Sequence, residues 1–109
     1  MSNLFEATDP RGHIVCCTVE CWAQHILKKH IWMKNRKDDV ISAIQSPLAI
    51  YQDTDFGERQ NYYFLPNNES YYVKVVVDFE EGESGKVITA FPVDSTKPGE
   101  ELIWPKSNR

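Results

Sequence analysis

The sequence predicts an α+β domain: N-terminal helices packed on a roughly four-stranded antiparallel sheet. Three observations carry this expectation. Residues 18–33 repeat their apolar groups at helical spacing. After residue 57 the period changes to two, most clearly over 71–79. Turn-forming clusters then separate the later segments at short intervals. With 109 residues, 41% of them hydrophobic, one core suffices, and a single domain is expected over 1–109.

Leu4 and Phe5 precede a turn at Asp9-Pro10-Arg11-Gly12. Residues 13–17 are rich enough in β-branched and thiol side chains for a short strand. The main helix is expected next. Thr18 can cap it, Glu20 lies in its first turn, and Lys28 and Lys29 lie near its end, as the helix dipole favours. On a helical wheel Trp22, Ala23, Ile26, Leu27, His30 and Ile31 share one side, while His25 falls about 140° from His30. A second helix starts near Asp38-Asp39, carries Val40, Ile41 and Ile44, and stops before Pro47. Residues 48–51 form a short extended run and 53–57 a loop.

Strands are expected over 60–65, 71–79 and 86–91, with a last edge strand over 102–104. Turns fall at 66–69, 81–85 and 97–99. The strand over 71–79 is expected to be central. Its odd positions, Val73, Val75 and Val77 among them, suit a core face turned toward the main helix, and its even positions include Lys74.

The formal net charge of −4 argues against general nucleic-acid affinity, but the basic residues are bunched. Lys28, Lys29, Lys34, Arg36 and Lys37 fall within ten residues that hold no acid, so all 16 acidic residues lie elsewhere. Such a patch suits phosphate, and it is equally an ordinary solvated helix end. No apolar run approaches the ~18 residues of a membrane span. Met1-Ser2-Asn3 leads directly into folded-looking sequence, so no leader segment is expected. Cys16, Cys17 and Cys21 are odd in number and crowded, which predicts reduced thiols and a cytoplasmic protein.

The candidate chemistry is proton transfer at a phosphodiester. Cleavage of RNA without metal needs a base for the ribose 2′-OH, an acid for the leaving oxygen and a cation for the phosphate. His25 and His30 suit proton transfer, Lys74 suits the cation, and Thr89 can hydrogen-bond a phosphate oxygen. Each also has an ordinary reading: His30 as a core histidine, Lys74 as a surface lysine, Thr89 as a strand residue. A zinc site from His13, Cys16, Cys17, Cys21 and His25 competes. The paired-cysteine knuckles of structural zinc are absent, however, and the helix histidines stand five apart, so neither metal nor cofactor is expected.

The segment Trp22-Ala-Gln-His25-Ile26-Leu-Lys-Lys-His30 resembles the tryptophan and His-Ile-x-x-x-His signature of the PBECR nuclease-fold family (phage-barnase-EndoU-colicin-RelE-like). Val40-Ile41-x-x-Ile44-x-x-Pro47-x-x-Ile50, Tyr62-Tyr63, residues 73–77, residues 87–91 and Gly99-Glu-Glu-Leu-Ile-Trp104 resemble its later passages in order. The resemblance runs over about residues 4–105 and implies helices against a four-stranded antiparallel sheet. It implies a metal-independent endoribonuclease, a toxin or effector type, with His25, Lys74 and Thr89 in the site and His30 as the second motif histidine. The expected RNA contacts are Lys28, Lys29, Arg36, Arg59 and Tyr63. The expected partners are RNA and a neutralising protein of antitoxin or immunity type. The alternative is a catalytically inactive module that binds protein or nucleic acid.

Overall fold

A computed structural model describes residues 2–80, 82–97 and 99–105. Ten elements follow one another along them. Strands β1 (Asn3–Thr8) and β2 (Ile14–Thr18) form a hairpin around the Asp9–Gly12 turn. A π-helix (Cys21–Leu27) follows, then a 3-10 turn (Ile31–Met33) and the helix α1 (Lys37–Gln45). Strands β3 (Ala49–Gln52), β4 (Arg59–Phe64), β5 (Tyr72–Asp78), β6 (Ser84–Val93) and β7 (Glu101–Trp104) complete the chain.

All seven strands join one sheet in the order β1-β2-β6-β5-β4-β3-β7. Strands β3 to β6 are an antiparallel meander. The β2–β6 pair is parallel, so the sheet is mixed. This corrects the expected fold, helices on roughly four antiparallel strands. The N-terminal segment spends residues 3–18 on a hairpin that widens the sheet at β6, and β7 widens it at β3. What remains for helix is short.

The helix expected over 18–33 breaks for a local reason. Thr18 Oγ1 accepts the Cys21 N–H at 3.0 Å, the cap expected of it. Val19 and Glu20 begin in α-helical geometry, but the chain then widens into π winding and leaves the helical region at His30 (φ −136°). A π-helix turns less per residue than an α-helix, so wheel positions drawn for α winding are displaced. Ile26 is buried, whereas Ala23 is exposed and Ile31 is 69% exposed.

Strand β5 is central, as its alternation predicts, and Val73, Val75 and Val77 are fully buried. The helix over them is α1 rather than the 18–33 segment; α1 contributes Val40, Ala43 and Ile44 to the same core. The π-helix instead packs along β6 beyond the point where β2 stops pairing with it. The turn expected over 81–85 is overrun by β6, whose Ser84 and Gly85 pair with Ile14 and Val15. A Cβ at Gly85 would lie 2.5 Å from Val77 Cγ1 and 2.9 Å from the Phe79 ring, so only glycine fits that crossing. Glu81 of that turn and Pro98 of the turn over 97–99 lie outside the described residues.

Candidate functional site

The sheet face opposite α1 carries most of the candidate chemistry. Pairing registers fix which residues share it. Tyr63, Lys74 and Phe91 form one row across β4, β5 and β6, and Asn61, Val76 and Thr89 form the next. A bulge then interrupts β6: Val77 pairs with Val87 and Val76 with Thr89, leaving Ile88 extra. Bulges re-aim side chains, and this one separates Thr89 from the regular alternation that begins at Ser84.

Lys74 Nζ lies 5.7 Å from the ring centroids of both Tyr63 and Phe91. The His30 ring stacks on Phe91 at 5.1 Å between centroids and 26° between planes. His30 is therefore half-buried on an aromatic ring, not set among the aliphatic groups of its predicted stripe. Lys74, Thr89 and His30 thus gather around one strip of β6.

A buried carboxylate completes this region. Glu100 enters from the segment before β7, and its side chain is fully buried. Its Oε1 accepts the Tyr63 hydroxyl at 2.8 Å, and its Oε2 accepts the Asn61 amide at 2.7 Å and lies 3.8 Å from Lys74 Nζ. The Asn61 amide nitrogen also donates to Asp53 Oδ1 at 3.1 Å. Two carboxylates around one amide group fix its orientation, because only NH₂ can donate to both. Asn61 Oδ1 is consequently turned elsewhere and is buried without a partner, as is Thr89 Oγ1.

The titration behaviour follows from these contacts. Burial, and then donation to Glu100, pushes the Tyr63 hydroxyl well above the usual phenol range and keeps it a donor. Burial alone would raise the Asp53 carboxyl. The Asn61 amide and the N–H groups of Asp55 and Phe56 outweigh it and hold Asp53 below the usual carboxylate range.

His25 stands apart from this group. It is exposed and lines a cleft of about 370 Å³ with Thr18, Glu20, Lys86 and Ile88. A neighbouring cavity of about 270 Å³ shares Cys16, Lys86 and Ile88 and adds Asp78 and Glu80. His25 therefore shares its cleft with one acid, Glu20, and one base, Lys86. It meets the Lys74 group only through β6, where Ile88 of the cleft adjoins Thr89.

The expected RNA contacts are dispersed. Lys28 and Lys29 are exposed. Arg36 lies 4.0 Å over the Trp32 ring and pairs with Asp39 at 3.7 Å and Glu69 at 3.9 Å. Arg59 stacks on Phe56 at 4.2 Å, and Tyr63 is fully buried. Within the basic run Arg36 is thus paired with two carboxylates, while its lysines are exposed.

The competing zinc set is not gathered. Cys17 is buried on the core side, Cys16 lines the far-side cleft, and the Cys21 thiol donates to the Val87 carbonyl at 3.0 Å. Among the described residues no group of three or more His, Cys, Asp or Glu is placed to hold a metal ion.

Glu100, Asn61 and Phe91 escaped the sequence reading. The signal for Asn61 was available: strand alternation in β4 puts it on the face of Tyr63. No local pattern marks Glu100, whose partners lie 37 and 39 residues away.

No family model matches this chain, and no curated protein matches it. Among the described residues no helix is long and apolar enough to cross a membrane.

Proposed function

We propose that this chain is a metal-independent ribonuclease whose site lies along β6 between Ile88 and Phe91. The observation that carries the reading is the placing of Lys74 and His30 at Phe91 on the strand that carries Thr89, whose hydroxyl is buried with no partner. In this reading one histidine takes the ribose 2′-OH proton, and the freed oxygen attacks phosphorus. The P–O5′ bond breaks, and the leaving oxygen takes a proton from the second histidine, leaving a 2′,3′-cyclic phosphate. Lys74 holds the charge that builds on the phosphate, and Thr89 donates to one of its oxygens. His25 reaches solvent, whereas His30 is held by its ring stack. An enzyme of this kind acts on RNA in the cytoplasm and needs a neutralising protein partner in the cell that makes it.

The test is incubation of the purified protein with total RNA in EDTA, beside His25→Ala, His30→Ala and Lys74→Met. Wild type should cleave, and each variant should lose at least about tenfold, the lower range for loss of one acid, base or charge-stabilising group. RNA left intact by wild type rejects the reading.

A second reading, a protein-binding module without catalysis, draws on the His25 cleft. In the cavity beside it Asp78 and Glu80 outnumber Lys86, which repels a phosphate polymer and suits a basic protein segment. Cleavage that survives His25→Ala, His30→Ala and Lys74→Met alike would leave this cleft as the chain's better-supported site.

A further inference from the structure

Glu100 occupies a position with the chemistry of an anion site. Its donors stand on the two central strands β4 and β5: the Asn61 amide, the Tyr63 hydroxyl and the Lys74 ammonium. The carboxylate itself comes from outside those strands, one residue after Gly99 (φ 89°), where the chain turns into the edge strand β7. The two neutral donors bind it at 2.8 Å or less, but Lys74 stays at 3.8 Å, beyond hydrogen-bond reach, with its ammonium donors unspent. Asn61 Oδ1 is buried without a partner, and so is Thr89 Oγ1 in the same row of the sheet, two strands away. A native interior rarely leaves such groups unpaired unless something else completes them.

We propose that Asn61, Tyr63 and Lys74 form a phosphate-binding site that the chain fills with its own Glu100. The inference rests on the ribonuclease reading for its substrate, and it supplies what that reading lacks, a way for Lys74 to be both buried and used. A phosphate group accepts from the same amide, hydroxyl and ammonium donors as a carboxylate does. While Glu100 is seated, its charge cancels that of Lys74 toward any second anion. When it leaves, Asp53 on the other side of the Asn61 amide is the carboxylate that still offsets the ammonium, and the larger part of the Lys74 charge is free for a phosphate. If Glu100 instead served only to position Lys74, its removal would weaken anion binding. The two roles predict opposite signs.

Calorimetric titration with inorganic phosphate separates them, using wild type, Glu100→Ala, Glu100→Gln and the double variant Glu100→Ala/Lys74→Met. Thermal unfolding of each variant establishes that it is folded. Glu100→Ala should bind phosphate at least about tenfold more tightly than wild type, because a like charge is gone from beside the cation. Glu100→Gln, which keeps the bulk and loses the charge, should fall between, and the double variant should lose the gain. Folded Glu100→Ala that binds no better than wild type overturns the proposal. So does a gain that survives Lys74→Met, or failure of both single variants to fold. A parallel titration with a short single-stranded RNA identifies the source of the phosphate. A matching gain supports RNA, and a gain for inorganic phosphate alone upholds the site but refutes RNA as its ligand. Phosphate binding with RNA left uncleaved by every variant rejects the ribonuclease reading alone.

Discussion

Tyr62 and Tyr63 are neighbours on β4 and point to opposite faces, and each hydroxyl donates to a buried carboxylate. The two carboxylates are nonetheless in different states of completion. On the core side, Asp9 accepts the Tyr62 hydroxyl at 2.7 Å, the Arg11 guanidinium at 2.7 and 3.1 Å, and the N–H groups of Arg11 and His13. Arg11 reaches on to Gln60 and the Tyr62 oxygen. On the other side, Glu100 has a cation at 3.8 Å, and its donor Asn61 carries a buried oxygen with no partner. The first network closes a turn and has nothing left to bind. The second is left unfinished in the way a ligand site is. Buried charge thus serves two ends in one sheet, and the count of satisfied donors tells them apart.

The largest difference should appear on removing each carboxylate. Asp9→Ala leaves the Arg11 guanidinium without its counter-charge and the Tyr62 hydroxyl without its acceptor, and should cost about 3–5 kcal/mol in urea unfolding, the range for breaking a buried pair. Glu100→Ala should cost about 1–3 kcal/mol, since only two short hydrogen bonds are lost. Equal losses would erase the distinction.

Removing the hydroxyls should give the same order on a smaller scale. Tyr62→Phe deletes a group bonded to both Asp9 and Arg11 and should cost about 2–3 kcal/mol, against about 1 kcal/mol for Tyr63→Phe.

Acid should act mainly through Asp9. Burial by itself would raise its carboxyl, but the Tyr62 hydroxyl, Arg11 and the His13 N–H outweigh it and hold it below the usual range. A depressed carboxyl contributes stability that is complete above the unfolded value near ~4 and is lost as pH falls through the lower folded value. Unfolding measured between pH 6 and 2 should therefore show stability declining below about pH 4, with a shallower decline in Asp9→Asn. An unchanged slope in that variant would shift the acid response to other carboxylates, Asp53 first.

The smallest stability change is expected where the contrast is sharpest. Thr89→Val replaces a buried, unpartnered hydroxyl with a methyl group and should be neutral or stabilising by up to about 1 kcal/mol. The same variant should cleave RNA at least about tenfold more slowly. A large loss of stability would mean that Thr89 has a structural partner.

Much of the meander was legible because its cause is local. The alternation of Val73, Val75 and Val77 is strict, and burial of that face follows from it. The α1 start at Asp38-Asp39 and its end before Pro47 likewise rest on neighbours in sequence. The π winding was hidden, since the Cys21 thiol is tied to the Val87 carbonyl 66 residues away and no propensity encodes that contact. Strand β1 was hidden too: within Asn3–Thr8 only Ala7 is fully buried, so hydrophobic periodicity gives it little voice. Of the site, Lys74 and Thr89 could be placed on one face by counting residues along two strands. Their relation to Glu100, His30 and Phe91 depends on register, a bulge and an edge strand, all set by long-range pairing.

The parallel β2–β6 pair also bears on the order of assembly. Its neighbourhood joins residues 70 apart, as in the contact of the His13 ring with the Glu83 carbonyl at 3.0 Å. Strands β3 to β6 need only short closures, so the chain entropy lost before their contacts form is smaller. The meander should therefore organise first and the N-terminal hairpin should dock last. Native-state hydrogen exchange should then release amides of β1 and β2 at lower opening free energy than those of β4 and β5.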